Sequence, residues 1–186
     1  MEKLKCDWCR GNDLYENYHD LEWGIPVFND QKQFEFLVLE SAQAGLSWIT
    51  VLKKRENYRV AYDNFDFEKV ALYDDKKVEE LMQNPGIIRN RLKILASINN
   101  AQRFIEIQKD HGSFCNFLWN YVNGKPLINH WNSLKEVPAT TPLSDLIAKD
   151  LKKRGFKFLG STIIYAHLQA TGLIDDHLVS CFKRLK

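Results

Sequence analysis

The sequence predicts a single all-α domain, from the chain length, the spacing of apolar residues and the scarcity of strand-like alternation. The chain has 186 residues, enough for one well-packed core and too few for two domains of ordinary size. Apolar residues recur at intervals of three and four along most of the chain, as they do on the buried face of a helix. No low-complexity tract or linker-like stretch divides the sequence. We therefore expect one domain over residues 1–186.

The predicted helices open at polar residues that directly precede apolar periodic runs. In chain order these residues are Asp30, Ser47, Asp75, Ser113, Thr141 and Ser161. Thr141 is followed by proline, which is favoured at the first helical position. The segment 155–160 can also be drawn as a short strand, but it has no evident strand partner. The all-α prediction is therefore kept.

A helix, a tight hairpin and a second helix are predicted over about residues 75–105. The break at 84–86 reads Asn-Pro-Gly, and apolar helical spacing resumes after it. A turn between two helices can aim backbone N–H groups at a phosphate, and Arg89, Arg91 and Lys93 would add positive charge nearby. Most Pro-Gly turns are only turns. On these residues alone, phosphate binding is one of two interpretations.

The charge balance neither requires nor excludes a polyanionic partner. The formal net charge is +2 and the isoelectric point is about 8.3, and mixed surface charge is common on helical domains. No apolar stretch approaches the length of a membrane span. The first residues also lack an apolar run of signal-peptide length. We expect a cytoplasmic protein without a membrane partner.

Metal-type residues lie near both ends of the chain. Cys6 and His19 lie near the start, while His177 and Cys181 are four residues apart near the end and would share one helix face. Two thiolates and two imidazoles fill the tetrahedral set that zinc prefers. Cys9 forms a C-x-x-C pair with Cys6, so spacing allows Cys9 as a ligand in place of His19. The simpler interpretation is a surface histidine with small core cysteines.

A zinc ion held by four protein groups would be structural, because no coordination position is left for an activated water. It would join the N- and C-terminal segments, with half-sites at 6–19 and 177–181. The chain has four cysteines, and without an export signal disulfides are disfavoured. A redox role for the C-x-x-C pair is weakly supported, because no βαβ pattern surrounds it.

Aromatic residues are dense in the first quarter of the chain, close to the acidic residue Glu40. They are Trp8, Tyr15, Tyr18, Trp23 and Trp48. Most aromatic side chains are core filler. The alternative is an electron-rich pocket with a carboxylate, which would attract a flat cation.

Five segments carry a resemblance to a known family. They read YHDLEWG (18–24), ESAQAGLSWITV (40–51), LKKRENYR (52–59), PGIIRNR (85–91) and LKKRGFKFLG (151–160). On these segments, and from Cys6 to Cys181, the chain resembles the DNA-3-methyladenine glycosylase I family. The resemblance implies a monomeric, monofunctional helix-hairpin-helix DNA glycosylase. Its implied reaction hydrolyses the N-glycosidic bond of 3-methyladenine in alkylated double-stranded DNA, releasing the free base and leaving an abasic site.

The resemblance also implies roles for individual residues. It selects Cys6, His19, His177 and Cys181 as ligands of one structural Zn²⁺, and sets Cys9 aside. For catalysis it implies hydrogen bonding by Glu40 and Tyr18 and stacking by Trp48. The rest of the base pocket would be lined by Trp8, Tyr15 and Trp23.

The implied DNA contacts are the hairpin Pro85, Gly86, Ile87, Ile88 and Arg89, with Gly45 and Leu46 as the element that enters the gap left by the flipped base. Ile88 stands where the common hairpin has a second glycine. Ala42 stands where a polar side chain is usual near the pocket, which predicts some effect on selectivity.

Two rival functions fit the sequence less well than the one this resemblance implies. A zinc nucleobase deaminase requires an H-x-E and a P-C-x-x-C signature, and the sequence has neither. A non-catalytic DNA-binding module would use the hairpin alone and would have no need for Glu40 among tryptophans. The hairpin also lacks a lysine placed for Schiff-base chemistry, so strand cleavage is not predicted.

Overall fold

The computed structural model describes residues 4–185, so residues 1–3 and 186 of the predicted domain lie outside the described residues. The described part is mostly helical and forms a single domain, which confirms the predicted fold class. The helices are α1 (Asp13–Leu21), α2 (Asp30–Gln43), α3 (Trp48–Leu52), α4 (Arg55–Ala61), α5 (Phe67–Val70), α6 (Asp75–Gln83), α7 (Arg91–His111), α8 (Phe114–Asn120), α9 (Pro142–Lys153) and α10 (Ser161–Ala170).

One short strand pair was not predicted. β1 (Leu127–Ile128) pairs in parallel with β2 (Ile174–Asp175). Two-residue strands carry too little alternation to be recognised in a sequence. The segment 155–160, which could have been drawn as a strand, is not one.

The long helix α7 organises the core, and it packs against α2, α5, α6 and α8. Phe104 of α7 stacks on Phe114 of α8 with ring centroids 4.2 Å apart, and both side chains are fully buried. Burying a side chain of this size contributes about 1.5–3 kcal/mol. The 3.6-residue period of α7 therefore turns one of its faces, which carries Phe104, toward the core.

Some predicted helix caps are confirmed and others are displaced. Ser113 accepts a hydrogen bond from the Asn116 amide, and Thr141 forms a capping box with Ser144. The cap of α2 is Asn29 instead of Asp30. Asp30 accepts hydrogen bonds from the first amides of α8. Its carboxylate is therefore used between helices, which a local pattern cannot reveal.

The helix predicted to open at Ser47 does not continue as a single element. It divides into α3 and α4 at Lys53 and Lys54, and the Ser47 hydroxyl bonds the Thr50 hydroxyl instead of capping a backbone amide. None of the helices within residues 4–185 is long and apolar enough to cross a bilayer.

Helix α2 is buried along almost its whole length, from Gln33 to Ala42. Two of its polar residues have buried partners: Gln33 is 2.7 Å from His167 Nε2, and Glu35 accepts from Arg55 Nε at 2.8 Å. These bonds offset the cost of removing polar groups from water. Glu40, on the same helix, is the exception on which the site is built.

Candidate active site

Three helices bring the predicted catalytic residues to one cavity. Tyr18 comes from α1, Glu40 from α2 and Trp48 from the start of α3. All three line a cavity of about 220 Å³, and Trp8 and Trp23 line it as well. A carboxylate and an indole that are separated in sequence therefore face the same space.

Glu40 is buried without compensation. Glu40 is only 3% exposed, and its Oε2 atom has no hydrogen-bond partner within the described part of the chain. Burial raises the pKa of this carboxyl to about 8, because the charged form is the one that loses most by leaving water. The indole Nε1 of Trp48 is also buried without a partner. Unpaired buried polar atoms call for an explanation, and in residues that line a cavity they indicate a place where a ligand could bind.

The aromatic walls meet at angles. The Tyr18 and Trp48 ring centroids are 5.5 Å apart at 49°, and those of Trp8 and Trp23 are 5.2 Å apart at 72°. Burial, and then the neighbouring Glu40 carboxylate, raise the pKa of the Tyr18 phenol well above its usual value. Tyr18 therefore keeps its proton and can donate a hydrogen bond.

Tyr15, the remaining predicted pocket residue, stands behind the wall. It is not among the residues that line the cavity. Its hydroxyl accepts a hydrogen bond from the Ile49 amide at 2.9 Å, and its ring packs edge-on against Trp8 with centroids 5.5 Å apart. Tyr15 thus supports both α3, which carries Trp48, and the Trp8 ring.

The cavity has polar lining residues that the sequence did not single out. They are Gln43, Gln169 and Asp176. Gln43 ends the helix that carries Glu40, whereas Gln169 and Asp176 come from the far end of the chain. No local motif links these regions, although Asp176 is adjacent to the predicted ligand His177. Ala42 does not line the cavity and is buried in the main core.

Three of the predicted metal ligands are brought together from opposite ends of the chain. The ligand atoms of Cys6, His19 and Cys181 lie within 4.8 Å of one another, and all three residues are buried. Cys181 Sγ is 3.4 Å from His19 Nε2. The Cys9 thiol bonds the Cys6 carbonyl at 3.1 Å and lies outside the cluster. This cluster can bind a metal ion.

His177 lies beside this cluster, and its ring centroid is 5.2 Å from that of His19. Its Nε2 is buried and has no hydrogen-bond partner among residues 4–185, while its Nδ1 is 2.7 Å from an Asp175 oxygen. His19 Nδ1 is likewise 2.8 Å from an Asp20 oxygen. Carboxylates at the second ring nitrogen commonly orient metal-ligating histidines. The donor set and its partners fit a zinc ion.

The hairpin between α6 and α7 uses most of its own amides. The Gly86 N–H donates to the Asn84 side chain at 2.8 Å, and the Ile88 N–H donates to the Tyr58 hydroxyl at 3.1 Å. Ile87 is buried in the main core, and only Arg89 of the predicted contacts projects as an exposed cation. The expected row of outward-facing amides is therefore not present over 86–88.

The loop with Gly45 and Leu46 connects two residues that line the cavity, Gln43 and Trp48. Gly45 has a φ of +82°, which favours glycine, and Leu46 is 41% exposed. This loop is therefore exposed and lies next to the cavity wall.

The chain is similar over nearly its whole length to proteins of one family. Residues 8–184 match the family model of methyladenine glycosylases. The chain is 49% identical to DNA-3-methyladenine glycosylase 1 of Escherichia coli K12 over 95% of each protein. It is 47% identical to DNA-3-methyladenine glycosylase of Haemophilus influenzae over 95% of this chain and 96% of that one.

Solved structures agree with the sequence relatives. A crystal structure of 3-methyladenine DNA glycosylase I superposes with a TM-score of 0.95 at 49% identity, covering 98% of this chain and 100% of the other. A structure that describes 3-methyladenine recognition by the Staphylococcus aureus enzyme gives 0.94 at 40% identity, covering 98% and 97%. The chain therefore belongs to the methyladenine glycosylase family.

Proposed function

We propose that this protein hydrolyses the N-glycosidic bond of 3-methyladenine in alkylated double-stranded DNA, releasing the free base and leaving an abasic site. The observation that carries the proposal is the convergence of Glu40 and Trp48, both with unpaired buried polar atoms, on one cavity. Relatives at 47–49% identity are named for this activity. A related structure describes recognition of the same base.

The proposed reaction begins with rotation of the damaged nucleotide out of the stack. This step costs a few kcal/mol and costs least for damaged bases. The proposed duplex contacts are the hairpin residues 85–89, within a helix-hairpin-helix element over about 75–105, and the Gly45–Leu46 loop. The loop would fill the gap, because it is exposed and continuous with the cavity wall. The expected monomeric state and cytoplasmic location stay predictions.

The chemistry follows from the charge of the substrate. N3-alkylation makes adenine cationic and weakens its bond to the sugar, so a strong general acid is unnecessary. Glu40 and Tyr18 would hydrogen-bond the base, and Trp48 would stack on it. Trp8 and Trp23 complete the walls, with Tyr15 supporting them from behind. A fixed site of this kind stabilises the charge redistribution as the bond breaks and leaves water to capture the sugar.

Glu40→Gln tests this assignment, because it keeps the size of the side chain and prevents it from ionising when a cationic base binds. We expect release of 3-methyladenine from alkylated DNA to slow by about 100-fold, the effect typical of losing one charge-stabilising group. Chromatography of the released bases measures the rate. Glu106→Gln, at an exposed position on α7, is the matched control. An unchanged rate in Glu40→Gln contradicts the proposed role.

We further propose that Cys6, His19, His177 and Cys181 hold one structural zinc ion, with half-sites at 6–19 and 177–181. The ion would cross-link the two ends of the chain and would take no part in catalysis. The proposal is supported by the clustered donors and by the unpaired Nε2 of His177.

His177→Ala should lower the zinc content below one ion per chain and lower the melting temperature, because one ligand is lost. Atomic absorption and thermal unfolding measure both quantities. His130→Ala, at a histidine outside the cluster, is the control. A full zinc content in His177→Ala would remove this residue from the ligand set.

A further inference from the structure

Asp176 is a second carboxylate in the wall of the base cavity, and the proposed function gives it no role. It follows β2 directly, is 3% exposed and lines the same cavity as Glu40. The two carboxylates differ in their surroundings: Glu40 has an oxygen without a partner, whereas Asp176 is surrounded by donors.

Four side chains donate hydrogen bonds to Asp176. Oδ1 accepts from Asn129 Nδ2 and Trp131 Nε1, each at 2.7 Å. Oδ2 accepts from Gln169 Nε2 at 2.7 Å and from the Tyr165 hydroxyl. An ionised carboxylate has about four acceptor positions. All of them are therefore used by the protein.

This arrangement fixes both the charge state and the mode of action of Asp176. The N–H groups of Asn129, Trp131 and Gln169 can only donate, and hydrogen bonds donated to a carboxylate favour its charged form. The Asp176 carboxylate is therefore held in place by donors at the wall of the cavity. Since its acceptor positions are filled, it acts on a ligand through its charge and not through a direct hydrogen bond.

We infer that Asp176 is a specificity-determining residue, whose fixed negative charge makes the cavity favour a cationic purine over a neutral one of the same shape. The inference rests on the proposed function. A charge in a site with little water acts more strongly than one in bulk solvent. Undamaged adenine is neutral, so this selection operates against it whenever an undamaged nucleotide flips.

Two small molecules separate charge from shape. One is 3-methyladenine as the neutral free base, and the other is the 3,9-dimethyladeninium ion, a permanent cation whose 9-methyl group stands where the sugar is attached. Isothermal titration gives the dissociation constant (Kd) of each. We expect the wild type to bind the cation more tightly. In Asp176→Asn, the Kd for the cation should rise about tenfold and that for the neutral base less than threefold, so the preference for the cation should fall by more than about threefold.

A second variant neutralises the same charge and leaves Asp176 in place. Gln169→Lys places an ammonium group where the Gln169 amide contacts Oδ2, and it should reduce the preference for the cation in the same direction. Trp131→Phe removes one donor but keeps the charge, so it should keep the preference. These two variants decide the matter if Asp176→Asn does not fold.

Asp175→Asn is the matched control for damage to the neighbouring metal cluster. Asp175 bonds His177 and does not line the cavity. Its variant should keep the wild-type ratio of the two Kd values even if zinc content, measured in parallel, falls.

Equal loss of binding for both ligands in Asp176→Asn, or no preference for the cation in the wild type, overturns the inference. A wild type that excises 3-methyladenine from DNA but lacks the preference leaves the proposed function standing, and one that excises nothing removes it.

Discussion

The base cavity and the hairpin are both predicted to bind parts of the same substrate, yet they differ in whether their polar groups have hydrogen-bond partners within the protein. In the cavity, Glu40 Oε2 and Trp48 Nε1 are buried and have no hydrogen-bond partner in the described part of the chain. The hairpin gives the amides of Gly86 and Ile88 partners within the protein. Unpaired buried groups cost about 1–3 kcal/mol each, so the cavity is costly to stability and the hairpin is not.

The difference indicates two kinds of site. The cavity is organised for a ligand that supplies hydrogen-bonding groups to Glu40 and Trp48 and carries a positive charge. The hairpin is a rigid turn, further tied to α4 by the Lys54 ammonium, which donates to the Pro85 carbonyl at 2.9 Å. Its contact with DNA is expected from Arg89 and the start of α7. Three changes sharpen or break this comparison.

The largest effect is expected from removing the unpaired carboxylate. The pKa of Glu40 is about 8 in the folded protein and about 4.3 in the unfolded chain. Between these values the folded state holds a proton that the unfolded state has lost, so stability falls as pH rises. Glu40→Met cannot titrate, so its stability relative to wild type should increase by roughly 2–5 kcal/mol from pH 5 to pH 9.

Chemical denaturation of the wild type and of Glu40→Met at pH 5, 7 and 9 measures the difference in unfolding free energy. The contributions of the other titrating groups cancel because both proteins contain them. Excision by Glu40→Met should be lost despite its greater stability, the trade-off expected when an active site holds a strained group. A constant difference across this pH range would show that Glu40 is not the titrating group.

Gly86→Ala tests the rigid hairpin. An added Cβ would lie 2.9 Å from Asn57 Cβ and 2.9 Å from Asn84 Oδ1, so the turn must shift. We expect a loss of about 1–3 kcal/mol in unfolding free energy, as for other overpacked sites. Affinity for duplex DNA should fall, while binding of free 3-methyladenine should not change.

Gly160→Ala is the matched control, because its added Cβ has open space around it. Fluorescence anisotropy with a labelled duplex and titration with the free base measure the two affinities. Equal losses for DNA and free base in Gly86→Ala would show that the hairpin and the cavity are not separate sites.

The smallest effect is expected at Lys93, which joins the two regions. Its ammonium donates to the carbonyls of Ala42 at 2.9 Å and Ala44 at 2.6 Å. These carbonyls end the helix that carries Glu40 and lead into the loop at Gly45. Lys93→Met should slow excision from duplex DNA several-fold without weakening the binding of free 3-methyladenine. The reason is that the loop at Gly45 loses its support, whereas the cavity does not. Lys109→Met, near the far end of α7, is the control, and weaker free-base binding in Lys93→Met would contradict this division.

The sequence by itself determined the helical fold, the starts of α2, α6, α8, α9 and α10, and the family, because apolar spacing, capping residues and long segments such as AGLSWITVLKKRENYR are local information. The tertiary structure decided the rest. It drew Gln169 and Asp176 into the cavity, placed Tyr15 behind the wall and assigned the hairpin amides to internal partners. Whether a buried polar atom finds a partner depends on groups far away in the chain. That pairing separates a group held ready for a ligand from one that only supports the fold.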